Sequence, residues 1–334
     1  MKGYVYNSSS PSKAEFKNNL ALKSLNNGEV LVKVKAAGLN PVDMKLAGFP
    51  VFNLTLNGKV FGVDFAGVVE ETESSKYKVG DSVYGFTDGS VAEKAIAKES
   101  EINIKPTTIS YNEAASLPCV AMTAYQSLLK GGIKEGSKVL VVGASGGCGI
   151  IGIQLAKYLA GPTGAVGGIC GGQNFAFISN LKACNVLADY KTPDILLGPT
   201  SPLKELGPVD VLFDTVSSSD PKDALNGKPY DKALASYLAP TGRTVAINGG
   251  ALRWIRALLF GHEEKNFNMV MCKKSSDDLK VIADIIDKQQ LTPIIDSVHP
   301  FTAEGVEAGY EKVRIITSHI NSTHCKIIHV LSLL

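Results

Sequence analysis

The sequence predicts an α/β protein with a β-rich lobe and a second lobe built on a doubly wound parallel sheet. Three observations lead to this fold class. The first third contains short β-branched runs separated by glycine and turn residues. From about Glu113 onward, strand patterns alternate with helical patterns, as they do in crossover folds. The segment Val139–Lys157 contains four apolar residues, a glycine-rich turn and an apolar stripe with helical spacing.

The strands of the β-rich lobe are predicted from β-branched or alternating runs that end at glycines and turns. Irregular antiparallel structure of this kind is typical of a barrel-like lobe. The tail, Pro293–Leu334, returns to strand-like runs, and we expect it to close back on the first lobe. The predicted strands are Glu29–Ala36, Lys59–Glu70 with glycine bends, Val79–Phe86 after a turn, and Ser90–Ala97.

The second lobe begins with a helix over Glu113–Leu129 that Pro118 interrupts. An amphipathic helix is predicted over Asp277–Gln289. We therefore expect one domain over 1–120 and 292–334, and a second over 121–291. The elements predicted between the two helices are strands at 138–142, 165–170, 209–213 and 243–247, and helices at 150–160, 174–184 and 231–238.

The glycine-rich turn carries the strongest functional signal. Gly147, Gly149 and Gly152 fit G-x-G-x-x-G, and Gly143 and Gly146 begin an overlapping frame. Such a turn lets a diphosphate approach bare backbone N–H groups at a helix N-terminus. The setting, with a strand before it and a helix after it, favours a Rossmann dinucleotide-binding domain over a glycine-rich turn of another α/β fold.

Bulk composition narrows the function classes. The 334 residues suit about two domains, and the net charge of +2 gives no reason to expect nucleic acid as a partner. The longest apolar region, around 139–170, is broken by glycines and by Lys157, so no transmembrane segment is predicted. The first residues lack a signal core or an Arg-rich presequence. We expect a cytoplasmic protein, with organelle or membrane-surface association as the alternative.

The cysteines and histidines do not predict a metal site. The six cysteines form no C-x-x-C pair, which favours reduced thiols over a disulfide framework. Residues 1–118 contain neither cysteine nor histidine, and all five histidines lie in the last third. A catalytic zinc usually takes three such ligands. Hydride chemistry is therefore expected to proceed without a metal.

Seven segments together resemble the zinc-independent quinone oxidoreductase branch of the medium-chain dehydrogenase/reductase superfamily, including plant-type enone and quinone oxidoreductases. They span nearly the whole chain in the family's order. The resemblance implies a GroES-like catalytic lobe and a Rossmann domain, with NADPH in the cleft between them and quinones or α,β-unsaturated carbonyls as substrates. The segments are Ala37–Lys45, Phe61–Glu70, Leu117–Gln126, Gly143–Gly152, Asp189–Pro193, Val209–Thr215 and Ile294–Pro300.

NADPH is preferred to NADH because the strand Ala165–Cys170 ends without an acid. In NAD sites an Asp or Glu there commonly bonds the ribose hydroxyl. No acid follows until Asp189, so we expect nothing to repel a 2′-phosphate. Gln173 stands where related sequences often place an arginine, and Tyr190 and Lys191 are the substitutes; the alternative for these two is a solvated strand end.

Three residues are catalytic candidates: Lys45, Asn40 and Asp64. Hydride delivered to the β-carbon of an enone leaves an enolate, which needs a hydrogen-bond donor and then a proton. Lys45 follows the cap-like Asn40 and the first-turn acid Asp43, and one helical turn would direct it into the cleft. For Lys45 the alternative is a solvated lysine, and for Asn40 it is a simple helix cap. For Asp64 it is a buried acid that positions its neighbours. Tyr84 is a further proton-donor candidate, with packing as its alternative.

The cofactor candidates follow from the turn and from the resemblance. Backbone at the turn would meet the diphosphate, Thr123 matches the family position near the nicotinamide, and the backbone after the last nucleotide-domain strand would meet the carboxamide. The candidates are Thr123, Ser145, Gly146, Gly147, Cys148, Gly149, Gly171, Gln173, Tyr190, Ile247, Asn248 and Gly249.

The leading hypothesis is an NADPH-dependent reductase of quinones or enones that acts on small molecules by direct hydride transfer. An NADPH-binding sensor or structural protein with little turnover is the alternative from another class, because function is grafted onto folds. A zinc alcohol dehydrogenase is a third. An edge strand near Phe267–Met271 would be one place for a homodimer to pair, with a monomer as the alternative.

Overall fold

The protein is described here by a computed structural model. The described residues are 1–9, 14–48, 55–192, 196, 198–217, 227–249, 263–264, 266–318 and 328–333.

The chain divides into two compact units. The described residues of 1–122, 274–318 and 328–333 form the first unit, and those of 123–273 form the second. The predicted second domain includes 274–291, whereas the structure groups this segment with the first unit. The first unit is therefore discontinuous along the chain, and the second is inserted into it.

The elements agree with the predicted mixture of strands and helices. No helix in the described ranges is long and apolar enough to cross a membrane. The strands are β1 Gly3–Tyr6, β2 Ala14–Lys17, β3 Glu29–Leu39, β4 Asp64–Thr72, β5 Ser82–Phe86, β6 Lys94–Lys98, β7 Ile102–Ile104, β8 Lys138–Val142, β9 Ala165–Cys170, β10 Val186–Asp189, β11 Val209–Asp214, β12 Leu238–Ala246, β13 Glu263–Glu264, β14 Phe267–Met269, β15 Ile295–Pro300 and β16 Ile328–Ser332. The helices are α1 Pro41–Gly48, α2 Tyr111–Ala115, α3 Pro118–Lys130, α4 Gly147–Ala160, α5 Phe175–Asn180, α6 Leu203–Leu206, α7 Tyr230–Ala233, α8 Ser276–Asp287 and α9 Ala303–Ser318.

The first unit is built on a mainly antiparallel sheet in the order β15-β16-β3-β4-β5-β7, with β6 also paired to β3. The late strand β16 lies between β15, to which it is parallel, and β3, to which it is antiparallel. The prediction that the tail closes back on the first lobe is confirmed. An aromatic cluster packs in this unit, with the rings of Phe61 and Tyr6 stacked and Tyr310 tilted against Phe61.

Helix α8 joins the first unit through specific contacts. Ser275 caps its N-terminus by accepting the N–H of Asp278, and its apolar face is buried. The hydroxyl of Tyr84 donates to the carbonyl of Leu279 at 2.6 Å, and the amide of Asn103 donates to the carbonyl of Ser276 at 2.9 Å. Tyr84 is thus a fully buried phenol held by helix backbone, which favours the packing alternative over a proton donor.

The second unit has the strand order β10-β9-β8-β11-β12-β14-β13, parallel except for the last pair. Numbered along the chain without the antiparallel β13, the six parallel strands have the order 3-2-1-4-5-6, the doubly wound arrangement. The order reverses between β8 and β11, and ligands bind beyond the carboxyl ends of strands at such a point. The predicted edge at Phe267–Met271 is wrong, because β14 pairs β12 on one side and β13 on the other.

Two predicted helices are shorter than expected. Over 174–184 the helix α5 ends at Asn180, and the chain then turns through Lys182 with a φ of 54°. Over 231–238 only the single turn of α7 is helical, followed by a 3₁₀ turn at Ala235–Tyr237. Apolar spacing marks the buried face of a segment but carries little information on where the helix stops.

Candidate functional site

The glycine turn joins β8 to α4 at the switch point of the second unit. Gly143 leaves the strand with a φ of 77°, in the left-handed region that favours glycine. Its N–H and that of Ala144 both donate to the carbonyl of Ile169. Gly146 is the N-cap of α4 and supplies no side-chain acceptor to the first helical turn. An anion is therefore the natural partner for the N–H groups at this helix end.

Three glycines of this turn are required by close packing. A Cβ on Gly143 would stand 2.4 Å from the hydroxyl of Thr215, and one on Gly149 would stand 2.0 Å from the carbonyl oxygen of Gly143. A Cβ on Gly152 would meet the ring of Phe213 at 2.8 Å. The turn, the close approach and the helix-to-strand packing are the three roles of glycines in a dinucleotide fingerprint. The residues present fit a bound dinucleotide.

The two overlapping glycine frames start in different parts of the structure, one in the turn and one in helix α4. The frame that starts at Gly147 places its first glycine inside α4, and the turn itself falls to Gly143. Gly146 and Gly147 remain candidates because they cap and begin the helix. Ser145 and Cys148, both half-buried, also lie at this end of α4.

Side chains cross-link the strand ends around the turn. The amide of Asn174 donates to the Ser145 hydroxyl at 3.1 Å. The hydroxyl of Thr215 donates to the carbonyl of Val142 at 2.7 Å, and the amide of Asn248 donates to the carbonyl of Thr215 at 2.9 Å. Sequence reasoning missed Asn174 and Thr215. Their signal was available, since both follow strands whose carboxyl ends meet at one edge of the sheet.

The carboxyl ends of β9 and β10 form the neighbouring part of the candidate cofactor site. The side-chain amide of exposed Gln173 folds back on Gly171, within 2.5 Å of where a Cβ would stand. Tyr190 is half-buried, and the Nζ of exposed Lys191 lies 5.9 Å from its ring centroid. No acid follows β9 in the sequence before Asp189, but Oδ2 of Asp189 lies 2.7 Å from the point where a Cβ of Gly172 would stand. An acid therefore does lie against this turn.

The first unit holds a buried cluster of two carboxyls joined by an amide. The Nδ2 of Asn40 donates to Oδ2 of Asp64 at 3.0 Å, while the backbone N–H of Asn40 donates to Oδ2 of Asp43 at 2.9 Å. The backbone N–H of Cys119, in the first turn of α3, donates to the same oxygen of Asp64 at 2.9 Å. Asn40, Asp43 and Asp64 are each at most 3% exposed. Asn40 is thus both a helix-start residue and a link between the two acids.

Burial controls the charge of both acids. Burial raises the pKa of Asp64 to about 8, against the lowering effect of the N–H donors of Cys119 and Asn40. Burial likewise raises the pKa of Asp43 to about 7, although the Asn40 N–H and the Tyr310 hydroxyl favour its charged form. Among the described residues, Oδ1 of each acid has no hydrogen-bond partner. A neutral, proton-bearing carboxyl is the state that such an environment favours.

Several other candidates are placed only in part. Lys45 lies in α1, and its side chain falls outside what the structure describes. Thr123 is buried in α3, and Ile247–Gly249 follows β12 at the carboxyl edge of its sheet. The segment 250–262 lies outside the described residues.

Within the described ranges, no three Cys, His, Asp or Glu side chains come together in a way that would hold a metal. Oδ2 of Asp64 already accepts two N–H groups, from Asn40 and Cys119. Zinc ligation needs three or four donors around one point.

Comparisons with known proteins agree with this geometry. A family model described as alcohol dehydrogenase GroES-like domain matches residues 26–110, and one described as zinc-binding dehydrogenase matches residues 181–310. A trans-enoyl reductase of Aspergillus terreus is 30% identical, over 94% of this chain and 93% of the relative. A chloroplastic quinone-oxidoreductase homolog of Spinacia oleracea is 31% identical, over 82% of this chain and 83% of the relative.

A solved structure shows the same fold over the full length. The quinone oxidoreductase from Coxiella burnetii is 26% identical, with a TM-score of 0.78 that covers 100% of this chain and 99% of that one. The strand order, the glycine turn and these relatives all indicate the same family. The chain is an oxidoreductase with a nicotinamide dinucleotide-binding domain, and it belongs to the quinone oxidoreductase branch of the medium-chain dehydrogenase/reductase superfamily.

Proposed function

We propose that the protein reduces quinones or α,β-unsaturated carbonyls with NADPH by direct hydride transfer and without a metal. The observation that carries this proposal is the glycine cradle between β8 and α4, where a Cβ on Gly149 would strike the carbonyl of Gly143. The relatives are named for enoyl and quinone substrates, and both substrate types present a conjugated carbonyl. The same acceptor chemistry is therefore proposed here.

The cofactor would be held along the carboxyl edge of the second unit. Backbone N–H groups of Ser145–Gly149 would bind its diphosphate at the N-terminus of α4. Thr123 and the backbone of Ile247–Gly249 would hold the nicotinamide end. Gln173, Tyr190 and Lys191 would contact the adenosine end, with the ammonium of Lys191 as the cation for a 2′-phosphate. When bound, the coenzyme supplies a hydride.

Polar groups of the chain would stabilise the negative charge that develops on the substrate oxygen and would hold a proton near it. Lys45 is proposed to donate a hydrogen bond to the substrate oxygen as negative charge develops there. Asp64 is proposed to hold a proton on its carboxyl, as burial favours, and Asn40 to orient that carboxyl through its amide. The two N–H donors on one oxygen leave the other oxygen of Asp64 as the proton-bearing atom.

A cofactor-monitored screen tests the function. Quinones, short enones and long enones are offered with NADPH and with NADH in parallel, and dinucleotide binding is measured separately by calorimetry. We expect turnover with small conjugated carbonyls and a preference for NADPH. Tight binding with negligible turnover across the panel would instead support a sensor or structural role. Failure of both coenzymes to bind would overturn the proposal.

The role of Lys45 has its own test. Removing a positioned donor or acid commonly lowers the catalysed rate by about 10²-fold or more. We expect Lys45→Ala to lower kcat for enones and quinones by about that factor while coenzyme affinity changes little. Lys59→Ala, at an exposed lysine of the same unit, is the matched control. Unchanged turnover in Lys45→Ala would remove Lys45 from the mechanism.

Metal independence predicts insensitivity to chelation. We expect dialysis against a strong chelator to leave the rate within about twofold of the untreated enzyme, because the donor set around Asp64 does not fit zinc. Metal analysis of the active enzyme should find zinc well below one ion per chain. Stoichiometric zinc together with loss of activity on its removal would favour a zinc dehydrogenase.

A further inference from the structure

The carboxylate of Asp189 lies over the turn that follows β9. In the parallel pair β9–β10, Asp189 stands level with Cys170, the last residue of β9. Its Oδ2 is 2.7 Å from the point where a Cβ of Gly172 would stand. Its Oδ1 accepts the backbone N–H of Lys191 at 2.9 Å, which fixes the orientation of the carboxylate. A glycine at 172 is what allows this close approach.

This position is next to the one where an NAD site places its ribose-binding acid. In such sites the acid commonly stands at the end of the second strand of the domain and accepts hydrogen bonds from ribose hydroxyls. Here the second strand is β9, which ends in Cys170 and continues through Gly171 without an acid. The neighbouring strand β10 supplies the carboxylate instead. The carboxylate therefore comes from the third strand of the domain, and it lies against the turn that follows the second.

A cation stands at the same strand end. Between residues 171 and 192 the chain has two lysines: Lys182 precedes β10, and Lys191 follows it. The Nζ of Lys191 lies near the ring of Tyr190, and its side chain is exposed. A carboxylate favours a ribose hydroxyl and repels a phosphate, whereas an ammonium attracts the phosphate. The Asp189 carboxylate therefore favours NADH, whereas the Lys191 ammonium favours NADPH.

We infer that Asp189 is a specificity-determining residue for the coenzyme: it binds the 2′-hydroxyl of the adenosine ribose and opposes a 2′-phosphate. The inference rests on the proposed function, since it requires a dinucleotide along this edge. It modifies the proposed preference for NADPH. NADH competes with NADPH in this protein, and Asp189 sets how well it does so.

The test measures binding of NAD⁺ and NADP⁺ by calorimetry, because these ligands differ only in the 2′-phosphate. We expect wild type to bind both. Asp189→Asn keeps the side-chain shape and removes its charge. It should shift the ratio of the two dissociation constants by about tenfold or more toward NADP⁺, the effect expected for a charge-assisted hydrogen bond. Glu205→Gln, at an exposed acid on α6, makes the same charge change and should leave the ratio unchanged.

A second variant moves the ratio the other way. Lys191→Gln should weaken NADP⁺ about tenfold and leave NAD⁺ within about twofold, which a folding defect would not do. The ratio of kcat/KM for NADPH and NADH should follow both shifts. If wild type binds both ligands and Asp189→Asn leaves their ratio unchanged, the inference is overturned and the proposed function stands. If wild type binds neither, both fail.

Discussion

Asp64 and Asp43 are buried acids whose hydrogen bonds come from neutral donors. The donors are the amide and N–H of Asn40, the N–H of Cys119 and the hydroxyl of Tyr310. Neutral donors do not repay the cost of burying a negative charge, so the raised pKa values follow from burial. Lys274 is the cation whose field lowers the pKa of Asp64, and it acts against the larger effect of burial. Asp43 raises that pKa further, because a second negative charge nearby is unfavourable.

The raised pKa of Asp64 predicts a loss of stability at high pH. An acid whose folded pKa is about 8 and whose unfolded pKa is 3.8 stabilises the fold at low pH. That stabilisation is lost as the pH rises from about 4 through 8. We expect the Tm of wild type to fall by several degrees between pH 6 and pH 9. Asp64→Asn should show a clearly smaller fall, because an amide does not titrate.

The control is Asp277→Asn, at an exposed acid in the first turn of α8, which should keep the wild-type slope. Asp43 retains its own contribution in both variants, since burial also raises its pKa. Differential scanning calorimetry at five pH values measures the slopes. Equal slopes in wild type and Asp64→Asn would show that Asp64 is charged in the fold.

Residue-level prediction succeeded where the information was local. The cap position of Asn40 and the buried character of Asp64 follow from their immediate neighbours. The bond from Tyr310 to Asp43 spans 267 residues of sequence, so no local pattern indicates it. Asp189 was misjudged because its distance was counted along the chain, whereas the register of β10 against β9 brings it to the turn.

Helix α4 depends on glycines that serve different purposes. Gly143 provides the left-handed turn, Gly149 the close approach to the strand end, and Gly152 the contact with Phe213 on β11. The helix therefore starts directly at the strand end, with its N-terminus open to an anion. We propose that coenzyme binding depends on this element.

A methyl group at Gly149 should separate binding from folding. The added Cβ would stand 2.0 Å from the carbonyl oxygen of Gly143, so Gly149→Ala must displace the turn. We expect dinucleotide affinity to fall at least about 10²-fold, with a stability loss of about 1–3 kcal/mol. Calorimetry and urea unfolding measure the two effects.

The matched control is Gly58→Ala in the first unit. Gly58 has a φ of 80° and open space around its Cα, so alanine there is strained without a clash. It should cost about 1 kcal/mol and leave dinucleotide binding unchanged. Equal binding by wild type and Gly149→Ala would contradict the placement of the diphosphate at this turn.

Element prediction was most accurate where a helix or strand is closed by proline or glycine. The strand 138–142 is observed with the predicted bounds, and Pro118 separates α2 from α3 as expected. The helices predicted over 174–184 and 231–238 are shorter, because their apolar residues pack in single turns and loops. Tertiary packing, rather than the helical spacing of apolar residues, determines where these two helices end.

At the scale of the whole molecule, the two units differ in how the chain supplies their strands. The described strands of the second unit lie in one stretch, from β8 to β14, whereas the first unit takes β15, β16 and α8 from the far side of that stretch. The boundary near residue 121 was predictable from the change of period. The second boundary was not, because α8 has an ordinary amphipathic pattern and its tertiary contacts, such as those with Tyr84 and Asn103, assign it to the first unit.

The stability of the first unit should depend on β16. Val330 is fully buried, and its register partner on β15, Val298, is 48% exposed. We expect Val330→Ala to lower the free energy of unfolding by about 2 kcal/mol, through lost burial and the cavity left behind. Val298→Ala, the same change one strand away, should cost less than about 0.5 kcal/mol. Urea unfolding measures both, and equal costs would argue against β16 as an inner strand.

Because β16 lies between β15 and β3, we expect the two units to fold in a fixed order during synthesis on the ribosome. Every strand of the second unit is synthesised before residue 328 emerges, so that unit can fold while translation continues. We expect the C-terminal part of β3, Ala36–Leu39, to lack its partner until β16 arrives, because β6 pairs only with the first part of β3, Glu29–Lys33. Chaperone demand during synthesis therefore falls on the N-terminal half of the chain, although that half emerges first.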